Sequence, residues 1–527
     1  MERTFDLAVI GGGTAGLVAS AGAASLGARV ALVERDRLGG ECLWTGCVPS
    51  KALIGSARRA RAFRDADAFG LESREPRVDG GRVLESVREV RARIQPHDDP
   101  ERFRAMGVEV LEGVEGRLLP GPAVRADDRT LRARRVLLAT GSRPAIPPVE
   151  GLEEAGYVTH ETAFERDGLP ATAVVLGGGA IGVEFAQAYA RLGVGVTLVE
   201  MEPRILPGED PELTARLRER LEEEGVRVVT GARAVRVGRE SGDRVVRLVP
   251  RDGTASPPAA DISGPPSSNL FEEGPEGGDS TGHAQGAGAD AGPDRGPRQD
   301  LPATVRGEEL FVATGREPNV EGLGLEEAGV EVGPSGVVVD DRLRTSRKRV
   351  YAAGDVIGGL LFTHVADHEA RTVLRNALFP FGSEVDYSVI PRAVYTDPEL
   401  ARVGPTEAEA RERHGDGISV FRYDLSELDR ALADRSGFGL VKLVADRKGR
   451  LLAGHLLAPG AGTMIAEVAL ALREGAGLDD LSDLVHPYPT LSEGIRRAAN
   501  EWQRSRLTPR TTRLLDLWFR LARKLGL

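Results

Sequence analysis

Cysteine is almost absent: the 527 residues hold two, Cys42 and Cys47, with four residues between them. So few cannot form a disulfide framework. In a reducing compartment a purely structural bridge is disfavoured, which leaves redox or metal chemistry. A zinc site would need further ligands nearby, but there is no second cysteine pair and only eight histidines, so no metal centre is expected. Long apolar runs are also missing. None reaches the roughly 18 residues that suggest a membrane span. Nor is there an excess of positive charge, since a net charge of −11 opposes nucleic-acid binding. Met1-Glu-Arg-Thr-Phe runs straight into a strand pattern without a signal peptide, so a cytoplasmic protein is expected.

The length exceeds what one core supports, and two to four domains are expected. Hydrophobic content of 41% with 28% charged residues suits a globular chain. An internal duplication organises it. Leu7 to Gly16 is LAVIGGGTAG, and Val174 to Gly182 is VVLGGGAIG. Each is an apolar strand entering G-x-G-x-x-G and then a helix pattern. The next strands, VALVE and VTLVE, end on Glu34 and Glu200 at the same offset from Gly11 and Gly177. This is a dinucleotide-binding arrangement. Gly11 and Gly177 allow the tight turn. Gly13 and Gly179 let a pyrophosphate approach the helix N-terminus, and Gly16 and Gly182 let helix and strand pack closely. Glu34 and Glu200 are placed to accept bonds from ribose hydroxyls. Two such units imply two dinucleotides, one resident and one exchanging.

Other punctuation recurs. Ala139-Thr-Gly141-Ser-Arg-Pro and Ala313-Thr-Gly315-Arg-Glu-Pro each close a strand, and Ala353-Gly354-Asp355 ends another, with Asp355 near a cofactor sugar. Residues 250–301 are dense in Gly, Pro, Ser, Asp and Ala. They lack the apolar surface to offset chain entropy, so a disordered insertion in the second dinucleotide domain is expected.

The segment Gly39-Gly-Glu-Cys42-Leu-Trp-Thr-Gly-Cys47-Val-Pro-Ser-Lys51 follows the first unit. A disulfide that opens and closes is its best reading. Pro49 and Ser50 suit a helix start, with the helical pattern running from Lys51. The positive helix end and the Lys51 ammonium would favour a Cys47 thiolate.

On these residues the chain resembles the flavoprotein disulfide reductases, a family that includes dihydrolipoamide dehydrogenase, glutathione reductase and mercuric reductase. The resemblance implies an α/β fold with two Rossmann-like domains, for FAD and NAD(P), and a C-terminal α+β dimerisation domain. The divisions implied are 1–155 and 316–386 for FAD, 156–315 for NAD(P), 387–500 for dimerisation and 501–527 as a tail. It implies hydride transfer from nicotinamide to flavin, then electron transfer to the disulfide. Cys47 would face the flavin and Cys42 would exchange with substrate. Lys51 would pair with Glu184 beside the flavin ring, Asp355 would hold the FAD ribityl chain, and Glu34 the adenosine ribose. Glu200 would repel a 2′-phosphate and favour NADH, while Arg204 keeps NADPH open. A homodimer would complete each active site.

One position departs. In thiol-handling members a histidine five places before a glutamate is the acid/base, whereas His486-Pro-Tyr488-Pro-Thr-Leu-Ser-Glu493 puts Tyr488 there. A phenol titrates near about 10 and is a poor proton acceptor at neutral pH. His486, two residues earlier, is either a substitute base or an interface histidine. Mercuric reductases resemble this chain in the tyrosine but add a C-terminal cysteine pair that is missing here. The expectation is an FAD enzyme moving electrons from NAD(P)H to an unidentified small-molecule acceptor. The alternatives are a dihydrolipoamide dehydrogenase using His486, or a slow redox-sensing flavoprotein. From Arg504 to Leu527 there are seven Lys or Arg against one acid, Asp516. Leu514, Trp518, Leu521 and Leu525 recur at helical spacing opposite Arg513, Asp516, Arg520, Arg523 and Lys524. That tail is expected either to touch a membrane peripherally or to pack on the dimer.

Overall fold

A computed structural model describes residues 4–251 and 301–526. The expected insertion falls almost wholly outside the described residues. The first unit is β1 (Phe5–Ile10), α1 (Thr14–Ser25) and β2 (Val30–Glu34). With β3 (Val108–Glu112), β4 (Arg129–Leu138) and a late strand at Val350–Ala352 it forms a parallel sheet. The order across this sheet is β3, β2, β1, β4, then the late strand. Parallel strands covered on both faces need continuous apolar runs. Leu7 to Ile10 and Val30 to Val33 supply them, all buried.

The second unit repeats the plan with β5 (Thr172–Leu176), α2 (Ala180–Arg191) and β6 (Gly195–Glu200). Two strands, Arg227–Thr230 and Glu309–Val312, flank them in parallel. The duplicated turns are close copies. A Cβ on Gly11 would lie 2.2 Å from the Ala139 carbonyl oxygen, and one on Gly177 the same 2.2 Å from that of Ala313. Both glycines have left-handed φ, +107° and +105°, so no other residue fits either turn without strain. The two strand-closing repeats pair with each other, Ser142–Pro144 against Arg316–Pro318, and so lace the two domains together.

The C-terminal domain is a five-stranded antiparallel sheet covered by two helices, Ala461–Glu474 and Glu493–Ser505. Buried Met464, Ile465, Val468, Ile495 and Ala498 face the sheet. Lys442, on a central strand of this sheet, reaches Asp210 and Glu407 at 2.8 Å each and Glu212 at 3.1 Å. A buried ammonium needs such partners. Asp210 also caps the helix Pro211–Glu223, so the cluster fixes the second dinucleotide domain against the C-terminal one.

The helix expected from Lys51 begins earlier, at Cys47, and runs to Arg64. Pro49 is thus inside the first turn, where its missing N–H leaves no intrahelical bond unmade. Beyond Ser505 a separate helix, Pro509–Leu525, opens with a Thr508 cap and Pro509 at its first position. None of its side chains is buried.

Candidate active site

The loops of the first unit, the cysteine segment and the Asp355 turn converge on one cleft of about 1470 Å³. Its walls carry Gly11, Gly13, Glu34, Gly141 and Asp355 along one stretch, and Cys42, Cys47, Lys51 and Glu184 along another. The cleft exceeds the roughly 300–1,000 Å³ common for ligand pockets, as an extended dinucleotide requires. The residues present fit FAD. The glycines leave room for backbone approach, and Asp355 lies at the strand end, held by Ser142 Oγ at 2.5 Å. Bound there, FAD supplies the two-electron carrier between a nicotinamide and the dithiol.

Glu34 and Glu200 share one local geometry. Glu34 Oε2 accepts from the Gly12 amide at 2.6 Å, and Glu200 Oε2 from the Gly178 amide at 2.6 Å. Their other oxygens accept from Asp36 N at 2.8 Å and Glu202 N at 2.7 Å. Both carboxylates are therefore fixed before any ribose arrives. Arg204 turns away onto the Pro207 carbonyl oxygen at 2.6 Å.

Cys42 and Cys47 are both free thiols facing this cleft, Cys47 the more exposed. The neighbouring Cys42 thiol lowers the Cys47 pKa to about 6, helped against burial by Thr363 and the Lys51 charge. The same contact, with burial, drives the Cys42 thiol up. The two thiols thus influence each other, with ionisation favoured at Cys47 over Cys42. Thr363 Oγ1 lies 3.2 Å from the Cys47 sulfur, at the start of the helix Thr363–Leu378. Lys51 Nζ pairs with Glu184 Oε2 at 2.9 Å. Burial works against the ammonium, but Glu184 outweighs it and the Lys51 pKa rises. Glu184 also accepts from the Tyr395 amide at 2.8 Å, so one carboxylate joins the dithiol helix, the second dinucleotide helix and the C-terminal domain.

Sequence reasoning missed a polar cluster under the dithiol. Glu41 accepts from Arg316, whose Nη1 is 2.6 Å away, and lies 2.8 Å from His160 Nε2. Arg316 reaches Ser142 Oγ at 2.9 Å and Asp355 at 3.4 Å. Gly315 sits immediately before it with φ +127°, which aims the guanidinium into the cleft. The signal was Glu41 itself, an acid between a glycine pair and a redox cysteine. Glu369 was missed as well. It is buried, accepts from the Gly354 amide and the Tyr387 hydroxyl at 2.7 Å each, and burial lifts its carboxyl to about 7.

The three C-terminal candidates do not gather. Tyr488 is 70% exposed, and its hydroxyl donates to Asp429 at 2.9 Å, which raises its pKa. Glu493 is buried and pairs with Arg496 at 2.6 Å rather than with Tyr488. His486 turns inward onto Glu467 at 3.1 Å, while the adjacent Val485 is 88% exposed. Among the described residues no His, Cys, Asp and Glu cluster could hold a metal ion, and no helix is long and apolar enough to cross a membrane.

Two dinucleotide units, a dithiol between them and a C-terminal sheet domain define an NAD(P)H-dependent, FAD-containing disulfide oxidoreductase. Residues 5–370 match the pyridine nucleotide-disulphide oxidoreductase model and residues 390–499 that family's dimerisation domain. The chain belongs to the pyridine nucleotide-disulphide oxidoreductases. It is 34% identical to a mercuric reductase of Streptomyces lividans, over 94% of this chain and 95% of that one. It is 35% identical to a dihydrolipoyl dehydrogenase of Thermus scotoductus, over 94% and 97%. Among solved structures, LpdA of Mycobacterium tuberculosis aligns with a TM-score of 0.78 at 28% identity, covering 95% of this chain and 100% of that one. The HOCl-induced flavoprotein disulfide reductase RclA of Escherichia coli, a Cu(II) complex, aligns at 0.76 and 25%, covering 94% and 99%.

Proposed function

We propose that this enzyme takes electrons preferentially from NADH and passes them through Cys42 and Cys47 to a small acceptor other than lipoamide. Cys47 is the thiolate facing the flavin, and Cys42 exchanges with the acceptor. Asp355 and Glu34 hold FAD; Glu200 receives the nicotinamide dinucleotide's ribose. The dimerisation domain supports a homodimer in which the 486–493 segment of one protomer completes its partner's site.

The observation that carries the choice of acceptor is Tyr488. By resemblance Tyr488 occupies the position where lipoamide exchange would need a proton acceptor, and its phenol is committed as a donor to Asp429. The test is steady-state NADH oxidation, with NADPH in parallel, against lipoamide, glutathione disulfide, Hg²⁺, Cu²⁺ and quinones. Rapid turnover of lipoamide would overturn the reading. A second reading, dihydrolipoamide dehydrogenase, is favoured by the His486–Glu467 contact, because a carboxylate-held imidazole is a competent base. It requires His486→Ala to abolish lipoamide turnover.

A further inference from the structure

The helix Pro509–Leu525 presents an exposed apolar face, interrupted only in its first turn by Arg510, that the redox chemistry leaves unused. Advancing 100° per residue, Leu514, Leu515, Leu517, Trp518, Phe519, Leu521 and Leu525 spread over roughly 200° with Trp518 at the centre. Arg513, Asp516, Arg520, Arg523 and Lys524 fill the opposite arc. The apolar side chains are bare: Leu514 is 68% exposed and Trp518 55%. Among the described residues, no side chain of this helix hydrogen-bonds or ion-pairs with anything before Arg506. Helices draw most of their stability from packing an amphipathic face, so the bare apolar face calls for a cover.

We propose that this helix lies flat on an anionic phospholipid bilayer, its apolar face in the acyl boundary and its cations at the headgroups. Three features choose lipid over a second copy of the chain. The apolar arc is wider than the stripe a helix presents to one protein neighbour, but suits immersion. Four cations on the polar arc face a single carboxylate, Asp516, which Arg520 takes at 2.7 Å. The tail is strongly basic in a chain of net charge −11, so the rest of the molecule is repelled by the surface that attracts the tail. The helix is thereby an orienting foot rather than a span, in keeping with the lack of any helix long and apolar enough to cross.

The experiment is co-sedimentation of the full-length holoenzyme with vesicles of phosphatidylcholine alone or mixed with phosphatidylglycerol. Mass in solution is measured alongside. Binding to the mixed vesicles should exceed that to neutral ones by about tenfold or more, since each basic residue near the surface adds roughly 1 kcal/mol. It should weaken at high salt. Trp518→Asp with Leu521→Asp should remove it, as should Arg513→Glu with Arg520→Glu and Arg523→Glu, while NADH oxidation without vesicles stays at the wild-type rate. Equal recovery with both vesicle types, or binding untouched by either variant set, would overturn the proposal. So would absent vesicle binding together with a smaller solution mass in the Trp518→Asp, Leu521→Asp variant, which would make a second copy the cover.

Discussion

Lys51 Nζ lies 2.9 Å from Glu184 Oε2, so the ammonium that helps hold the Cys47 thiolate is itself held by the second dinucleotide helix. Removing it should release the thiol. In Cys42→Ser, where Cys47 is the sole thiol, iodoacetamide alkylation followed against pH should titrate well below an ordinary cysteine. Adding Lys51→Met should move that titration up by roughly one unit, the loss of one nearby opposite charge. An unmoved titration would mean that the ammonium contributes nothing and that Thr363 holds the thiolate in this variant.

The division of labour between the sulfurs has a spectroscopic signature. Cys42→Ser should show a long-wavelength band of thiolate against FAD without any reductant, and Cys47→Ser should show none. The reverse pattern would exchange the two roles.

For the nicotinamide, Glu200 is held by two backbone amides, while Arg204 is turned onto Pro207. NADH should therefore give the larger kcat/KM. Glu200→Ala should narrow the gap by about tenfold, the loss of a hydrogen bond to a charged group. A native preference for NADPH would refute the assignment.

How far these sites were legible in the sequence depended on how local their determinants are. Gly11, Gly177, Glu34 and Glu200 declare themselves because one turn and one strand end specify both the residue and its surroundings. Lys51 with Glu184 was accessible only through family resemblance, since 133 positions separate them. Glu41, Arg316 and His160 come from three segments that only the folded chain brings together. The helix start was misplaced because Pro49 marks a first turn equally well from several neighbouring positions. The partners of Tyr488 and His486, Asp429 and Glu467, lie on other helices, while Glu493 is taken up by Arg496 one turn along its own helix.

That last set bears on Tyr488→His. The new imidazole should raise dihydrolipoamide oxidation and add a further base titrating near about 6–7 to the pH profile, seen as a difference from the native profile. With Glu493 engaged by Arg496, the ring would rely on Asp429, so the gain should stay below about 10²-fold. Loss of native lipoamide turnover in His486→Ala would place the base at His486 instead.

Glu369 predicts a pH effect on stability. Burial raises its carboxyl to about 7 in the fold, against about 4.3 for an ordinary glutamate. Its contribution is therefore fully present below about 4.3 and lost as pH rises through about 7, a span of about 4 kcal/mol. Glu369→Gln should raise the thermal midpoint at pH 8 and leave it nearly unchanged at pH 5. Equal shifts at both would show that the carboxyl is ionised throughout.

The two glycine turns are near copies, yet Gly11 and Gly13 open into about 1470 Å³ whereas Gly179 opens onto a recess of about 180 Å³. The backbone geometry of the two turns is the same, so a difference in residence time would come from the walls. A dinucleotide enclosed by the cysteine helix, the Asp355 turn and the strand-closing repeats leaves only when several elements part. The recess at Gly179 is smaller, walled by Leu206 to Glu209, Phe362 and Arg392, Ala393, Val394 and Leu400 of the C-terminal domain. The same turn sequence thus opens into two spaces of unequal size, and the occupant of the larger one should dissociate more slowly than that of the smaller, as a comparison of the two dissociation rates would read.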